Sequence, residues 1–123
     1  MNKIVIFIFA VYSFLFSGVV YQIPIKGTID LGLPAYIARG LNQAKENNAV
    51  AVIFDIDTFG GRVDAATQIK DAILSSDLLT IAFINRRAIS AGALISLSCE
   101  KIYMTGGASI GAATAVDMSG KKG

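Results

Sequence analysis

Histidine is absent from the 123 residues and cysteine occurs once. No Ser-His-Asp or Cys-His triad can be assembled within this chain, no intramolecular disulfide can form, and the usual histidine and cysteine zinc sites are excluded. Any catalysis must work without imidazole. Charge is also scarce: 16% of residues are charged, and 11 Lys+Arg against 9 Asp+Glu leave a net charge of +2. That balance excludes a strongly basic nucleic-acid binder and an acidic disordered tail. Prolines number two against twelve glycines, and 54% of residues are hydrophobic. So apolar a chain is an ordered domain with many tight backbone positions.

The chain opens on Met1 to Lys3 and then runs uncharged from Ile4 to Val20. A basic start followed by an apolar stretch shorter than the roughly 20 residues of a comfortable membrane span fits an export signal. Residues 1–20 are therefore expected to be a signal peptide or an N-terminal membrane anchor that places the rest outside the cytoplasm. No A-x-A triplet follows, which leaves cleavage or retention open, and a buried first strand or helix is the plain alternative. Residues 21–123 form the domain. Its last residues, Asp117 to Gly123, read as a polar turn without a capping element, so the natural protein is expected to continue.

Alternation over Val19 to Ile25 predicts a strand, and Pro24 argues for a sheet edge or an interrupted ladder. Pro34 suits the first turn of a helix whose apolar positions are Leu33, Ile37, Leu41 and Ala44, ended by Asn47-Asn48. Ala49 to Ile56 is a continuous apolar run, as expected of a parallel strand buried on both faces. A second unit follows: the loop Asp57 to Arg62, a helix from about Val63 to Ser75 with Ala66, Ile69 and Ile73 inward, and a strand Leu79 to Asn85. After a loop Arg86 to Gly92 come a short helix Ala91 to Leu97, a strand Lys101 to Met104 and a glycine-rich stretch Gly106 to Ala113. This order predicts an α/β fold with a mostly parallel sheet, right-handed crossovers and packed helices.

In such sheets, sites form beyond the carboxyl ends of strands, where this chain places Thr58 to Arg62 and Arg86 to Gly92. Ser90, in Ala88-Ile89-Ser90-Ala91-Gly92, resembles a nucleophile elbow with its first glycine replaced by alanine. Taken alone it reads first as a helix N-cap, the ordinary role of a serine at a helix start. Gly60-Gly61 can turn backbone N–H groups toward a developing oxyanion, or can simply make a turn. A serine hydroxyl needs a base, and without histidine that base is a lysine kept neutral by burial. The seven lysines read as leader, solvated faces or tail, with Lys121 and Lys122 the remote candidates. Asp55 and Asp57 share one strand face, where a metal or acid–base pair competes with a role in positioning the glycine loop. Cys99 reads as a small buried hydrophobe, and Arg86-Arg87 as a solvated pair that contacts substrate backbone. Gly120-Lys121 lacks the flanking residues of a phosphate loop, so no nucleotide is expected; no metal or other cofactor is expected either.

Asp57-Thr58-Phe59-Gly60-Gly61-Arg62-Val63-Asp64 resembles the D-T-P-G-G loop, and Ala88-Ile89-Ser90-Ala91-Gly92-Ala93 the A-x-S-A-G-A serine loop, of the NfeD family. These are membrane-associated serine proteases of the ClpP/crotonase superfamily, related to signal peptide peptidase A. Gly107 to Thr114 is similar to the family's next landmark, and the resemblance covers roughly Tyr21 to Val116. It implies a ClpP/crotonase-like fold, incomplete at its C-terminus, with Ser90 as nucleophile and the N–H of Ala91 and one from Gly60-Gly61 as oxyanion hole. It also implies a base lysine beyond Gly123, hydrophobic segments of membrane-associated proteins as substrate, a stomatin-like partner and a homodimer. Phe59 and Ala115 stand where the family commonly has proline. The rival readings are a crotonase-like acyl-CoA enzyme and a non-catalytic membrane scaffold.

Overall fold

The structure, a computed structural model, describes residues 18–114. The expectations for the apolar leader up to residue 17, and for Ala115, Lys121 and Lys122, lie outside these residues. The elements run β1 (Val20–Lys26), α1 (Leu33–Glu46), β2 (Ala51–Thr58), α2 (Val63–Leu74), β3 (Thr80–Ile89), α3 (Ala91–Ser98), β4 (Lys101–Met104) and β5 (Ser109–Gly111). The strands form one sheet in the order β1-β2-β3-β4, with β5 also on β3, and every pairing is parallel. Pro24 lies in β1, which pairs only with β2, so its missing N–H falls on an edge as expected. Val20, the last residue of the apolar run, already pairs with Ala51.

Consecutive strands lie side by side, and right-handed crossovers between them put all three helices on one face of the sheet. The core lies between. Ile23 and Ile25 of β1, Val52, Phe54 and Ile56 of β2, and Ala82, Ile84 and Ala88 of β3 meet Ile37, Leu41 and Ala44 of α1. Ala66, Ile69 and Ile73 of α2 and Ile95 of α3 complete it. The inward helix positions match those expected from spacing. The expectation that β2 is buried on both faces is corrected: Val52, Phe54, Ile56 and Thr58 are buried, while Ile53, Asp55 and Asp57 are half-buried among the described residues. Stacking every helix on one face explains that alternation.

β3 also departs from expectation, running to Ile89 instead of Asn85. Its first half pairs with β4 at Ile81 to Ile84, and its second half with β5 at Arg87 to Ile89. The two short strands thus follow one another along the same edge of β3. Between them, Thr105 Oγ1 donates to the Asn85 carbonyl at 2.6 Å and the Thr105 N–H to the Ile84 carbonyl at 3.2 Å. Polar Arg86 and Arg87 read as a loop because strand pairing, not side-chain polarity, keeps them extended.

Candidate active site

The carboxyl ends of β2 and β3 carry the two loops that the sequence singles out. Ser90 stands between β3 and α3 with φ 55° and ψ −113°, a combination unusual for a residue with a Cβ. Its N–H donates to the Gly111 carbonyl of β5 at 2.8 Å, and its carbonyl accepts from the N–H groups of Ala93 at 3.0 Å and Leu94 at 3.2 Å. The backbone is therefore held from both sides. The side chain is exposed and makes no capping bond, which corrects the N-cap reading. Side-chain capping needs an extended N-cap backbone, and Ser90 does not have one.

The loop after β2 lies directly against this serine. A Cβ placed on Gly60 would sit 3.0 Å from Ser90 Cβ, 3.0 Å from the Ile89 carbonyl oxygen and 3.3 Å from the Ala91 nitrogen, and Gly60 itself has φ 111°. Only glycine brings the loop this close without strain. The loop is pinned from below by residues with no role foreseen from sequence. The Gly60 N–H donates to Thr58 Oγ1 at 2.9 Å, and the same hydroxyl donates to the Gly27 carbonyl at 2.5 Å. Ile29 donates its N–H to the Gly60 carbonyl at 3.0 Å and accepts from the Arg62 N–H at 2.9 Å. In this parallel bridge the bonds pass through residues 60 and 62, so the Gly61 N–H points away from Ile29. A Cβ on Gly61 would overlap the Ile29 backbone. The signal in the sequence was a hydroxyl residue two positions before a glycine, which offers its own loop a hydrogen bond.

Helix α3 approaches just as closely from the other side. A Cβ on Gly92 would meet Thr58 Cγ2 at 2.5 Å, so the second glycine-bearing motif docks on the threonine that holds the first. The N–H of Ala91, at the first position of α3, has no intrahelical acceptor. Ser90, Ala91, Gly60 and Gly61 are thus brought together, as the sequence expected. Beside them opens a cavity of about 300 Å³, which Ser90 and Ala91 line together with the apolar Val63, Ala66, Leu94 and Ala113 and the polar Thr114. No lysine lines it. Lys26 pairs with Asp55 Oδ2 and Lys70 with Asp71 Oδ1, each at 2.9 Å, while Lys45 and Lys101 are exposed.

Asp55 and Asp57 go separate ways. Asp55 faces Lys26 across the sheet, with its Oδ1 lacking a partner, and does not reach the glycine loop; in this the shared positioning role is corrected. Asp57 Oδ1 lies 3.2 Å from Arg87 Nε, and the Arg87 guanidinium stands 4.3 Å from the centroid of the Phe59 ring. Arg87 is therefore not the solvated residue expected, although Arg86 is exposed. Among the described residues no group of His, Cys, Asp and Glu could hold a metal ion. Cys99 is buried, and desolvation pushes its thiol up to about 12, against a hydrogen bond to Thr80 that lowers it. A thiol so raised stays protonated at neutral pH and is no nucleophile.

At the start of α2, Arg62 makes a two-pronged contact with Asp64, Nε to Oδ1 at 2.9 Å and Nη2 to Oδ2 at 2.8 Å. That hydrogen bonding holds the Asp64 carboxyl below the usual carboxylate range and raises the Arg62 guanidinium. Asp64 Oδ1 also accepts the Ala65 N–H at 2.9 Å, so a negative charge sits in the first turn of the helix that walls the cavity.

Known proteins resemble this chain in sequence and fold. Residues 19–123 match the family profile described as the NfeD1b N-terminal domain. Membrane protein NfeD1b of Bacillus subtilis is 42% identical over 101 residues, which are 82% of this chain and 23% of that protein. Membrane-bound protease PH1510 of Pyrococcus horikoshii is 34% identical over 113 residues, 89% of this chain and 26% of that protein. A solved serine-to-alanine mutant of the 1510-N membrane-bound stomatin-specific protease superposes with a TM-score of 0.77 at 34% identity, covering 82% of this chain and 50% of that one. A lysine-to-alanine mutant of the same protease, in complex with a substrate peptide, gives 0.76 at 33% identity over 87% of this chain and 52% of that one. ClpP1 of Listeria monocytogenes, at 24% identity and a TM-score of 0.60 over 64% of this chain and 46% of that one, shares the fold. The chain thus spans about a quarter of the curated relatives and about half of the solved 1510-N chains. Its α/β fold is ClpP-like, and the chain belongs to the NfeD1b N-terminal domain family.

Proposed function

We propose that this chain is the N-terminal part of a membrane-associated serine endopeptidase in which Ser90 attacks the peptide carbonyl. The observation that carries the reading is Ser90 itself: exposed, uncapped, held at φ 55° between β5 and α3, and packed against Gly60 and Ala91. In the reaction the Ser90 Oγ forms a bond to the carbonyl carbon while its proton passes to a neutral lysine. The carbonyl oxygen, now an anion, accepts hydrogen bonds from the Ala91 N–H and from the Gly60-Gly61 loop. Collapse of this intermediate breaks the peptide bond, and the lysine returns the proton to the leaving amine. Water then hydrolyses the acyl-enzyme.

The base is a lysine that lies outside the described residues. Among the described residues no lysine lines the cavity, which is consistent with a base outside them. The serine and lysine mutants of the related stomatin-specific protease are consistent with a Ser-Lys pair. Apolar walls at Val63, Ala66, Leu94 and Ala113 suit an aliphatic substrate side chain, hence a hydrophobic segment of a membrane-associated protein. A stomatin-like protein is the proposed partner, by analogy with that relative, and the working unit is a homodimer. Among the described residues no helix is long and apolar enough to cross a membrane. The apolar residues that precede β1 act as signal peptide or anchor and place the domain outside the cytoplasm.

The test is Ser90→Ala in the full-length protein, assayed on a hydrophobic peptide. Losing an activated nucleophile lowers the rate by roughly 10⁴ or more. Retained cleavage by that variant would overturn the assignment.

A further inference from the structure

We propose that Arg87 is a positioning residue for the Gly60–Gly61 loop, holding it through the ring of Phe59. The contact originates in the register of β2 and β3. Ile56 pairs with Ile84 and Thr58 with Ala88, so Asn85, Arg86 and Arg87 all lie opposite the single residue Asp57. A bulge of this kind re-aims side chains at the end of a strand. Here it carries Arg87 across to β2, where Asp57 Oδ1 meets Nε at 3.2 Å and the guanidinium lies 4.3 Å from the Phe59 centroid.

The loop needs such a contact. Phe59 is 71% exposed and outside the hydrophobic core, so burial does not fix its ring. The two residues that follow are glycines, which have the widest backbone freedom of any residue. The guanidinium stacked on the ring and held by Asp57 ties the loop's aromatic side chain back to both strands that flank it. The pinned ring also stands between two surface grooves, of about 480 Å³ and about 280 Å³, each lined by both Phe59 and Arg87. One of them reaches Ile89, the neighbour of Ser90, and the other reaches Gly60. The value of the clamp to catalysis rests on reading Gly60-Gly61 as an oxyanion loop. The order it imposes on that loop does not.

Amide hydrogen exchange in the full chain tests the clamp without reference to cleavage. The reporters are the N–H groups of Ile29, Gly60 and Arg62, whose bonds hold the loop, with Phe54 and Ile84 as core controls. A contact of this type at an exposed site corresponds to about a two- to fivefold change in a local opening equilibrium. Arg87→Met is expected to speed exchange of the three reporters by about that factor and to leave the controls unchanged. Phe59→Leu is expected to do the same, Phe59→Tyr to behave as the parent, and Arg87→Met to add nothing on top of Phe59→Leu. Unchanged reporters, equal acceleration in the core, or additive effects of the two substitutions would each overturn the proposal. None of these results depends on whether Ser90→Ala abolishes cleavage, so the two readings fail separately.

Discussion

Gly60 and Ser90, thirty residues apart in sequence, are in contact through the one atom that glycine lacks: a Cβ on Gly60 would lie 3.0 Å from that of Ser90. The two loops that end β2 and β3 therefore pack directly against each other. Thr58 is the keystone beneath them. Its hydroxyl binds the Gly60 N–H at 2.9 Å, and its methyl fills the space left open by Gly92.

Gly60→Ala is accordingly expected to destabilise the domain. The new methyl meets backbone at the Ile89 carbonyl, and φ 111° is a conformation that L side chains rarely adopt. Strain of this kind costs about 1 to 3 kcal/mol. Denaturant unfolding measures the loss, and an unchanged midpoint would mean that the loop relaxes away from Ser90.

The contact between α3 and β2 makes a paired prediction. Gly92→Ala overpacks Thr58 Cγ2 at 2.5 Å, which costs about 1 to 3 kcal/mol in a filled core. Thr58→Ser removes that methyl and keeps the hydroxyl that bonds Gly27 and Gly60. In the serine background Gly92→Ala should cost at least about 1 kcal/mol less, read as the interaction energy of a double-mutant cycle. Additive costs would place the clash elsewhere.

Asp64 supplies the pH dependence. Its folded-state carboxyl is depressed by hydrogen bonding to Arg62, so its stabilising contribution is present above the unfolded carboxylate range and is lost as pH falls through the depressed value. An NMR titration of the side-chain carboxyl should show Asp64 ionising below the usual carboxylate range. Arg62→Ala should move that titration upward, and the same midpoint in both proteins would remove Arg62 as the cause.

Most of this architecture was legible because apolar spacing and core burial coincide. Ile37, Leu41 and Ala44, then Ala66, Ile69 and Ile73, are both the periodic and the buried positions of α1 and α2. The meeting of Ser90 with Gly60-Gly61 was legible as well, since the parallel order fixes which strand ends are neighbours. What escaped was set by pairing rather than composition. The second half of β3 stays extended because β5 lies beside it, and the bulge that brings Arg87 to Asp57 leaves no mark in hydrophobicity. The half-open face of β2 escaped too, because Ile53 is as apolar as Phe54 although only Phe54 is fully buried.

The backbone of Ser90 makes the final prediction, because it separates a strained site from an ordinary turn by the sign of one stability difference. At φ 55° and ψ −113° a residue with a Cβ carries strain of about 1 to 3 kcal/mol, whereas glycine adopts these angles freely. Glycine also gains more entropy on unfolding, which at an unstrained position makes it about 0.5 to 1 kcal/mol worse than alanine. The Ser90 side chain makes no capping bond, so serine and alanine should be nearly equal in stability here. Ser90→Gly should therefore exceed Ser90→Ala in stability by up to about 2 kcal/mol. Both lack the nucleophile, so stability would rise as cleavage in the full-length protein is lost. Urea midpoints of the two variants are the measurement. If Ser90→Gly is the less stable of the pair, the turn holds no strain, and the loops around Ser90 do not force its conformation.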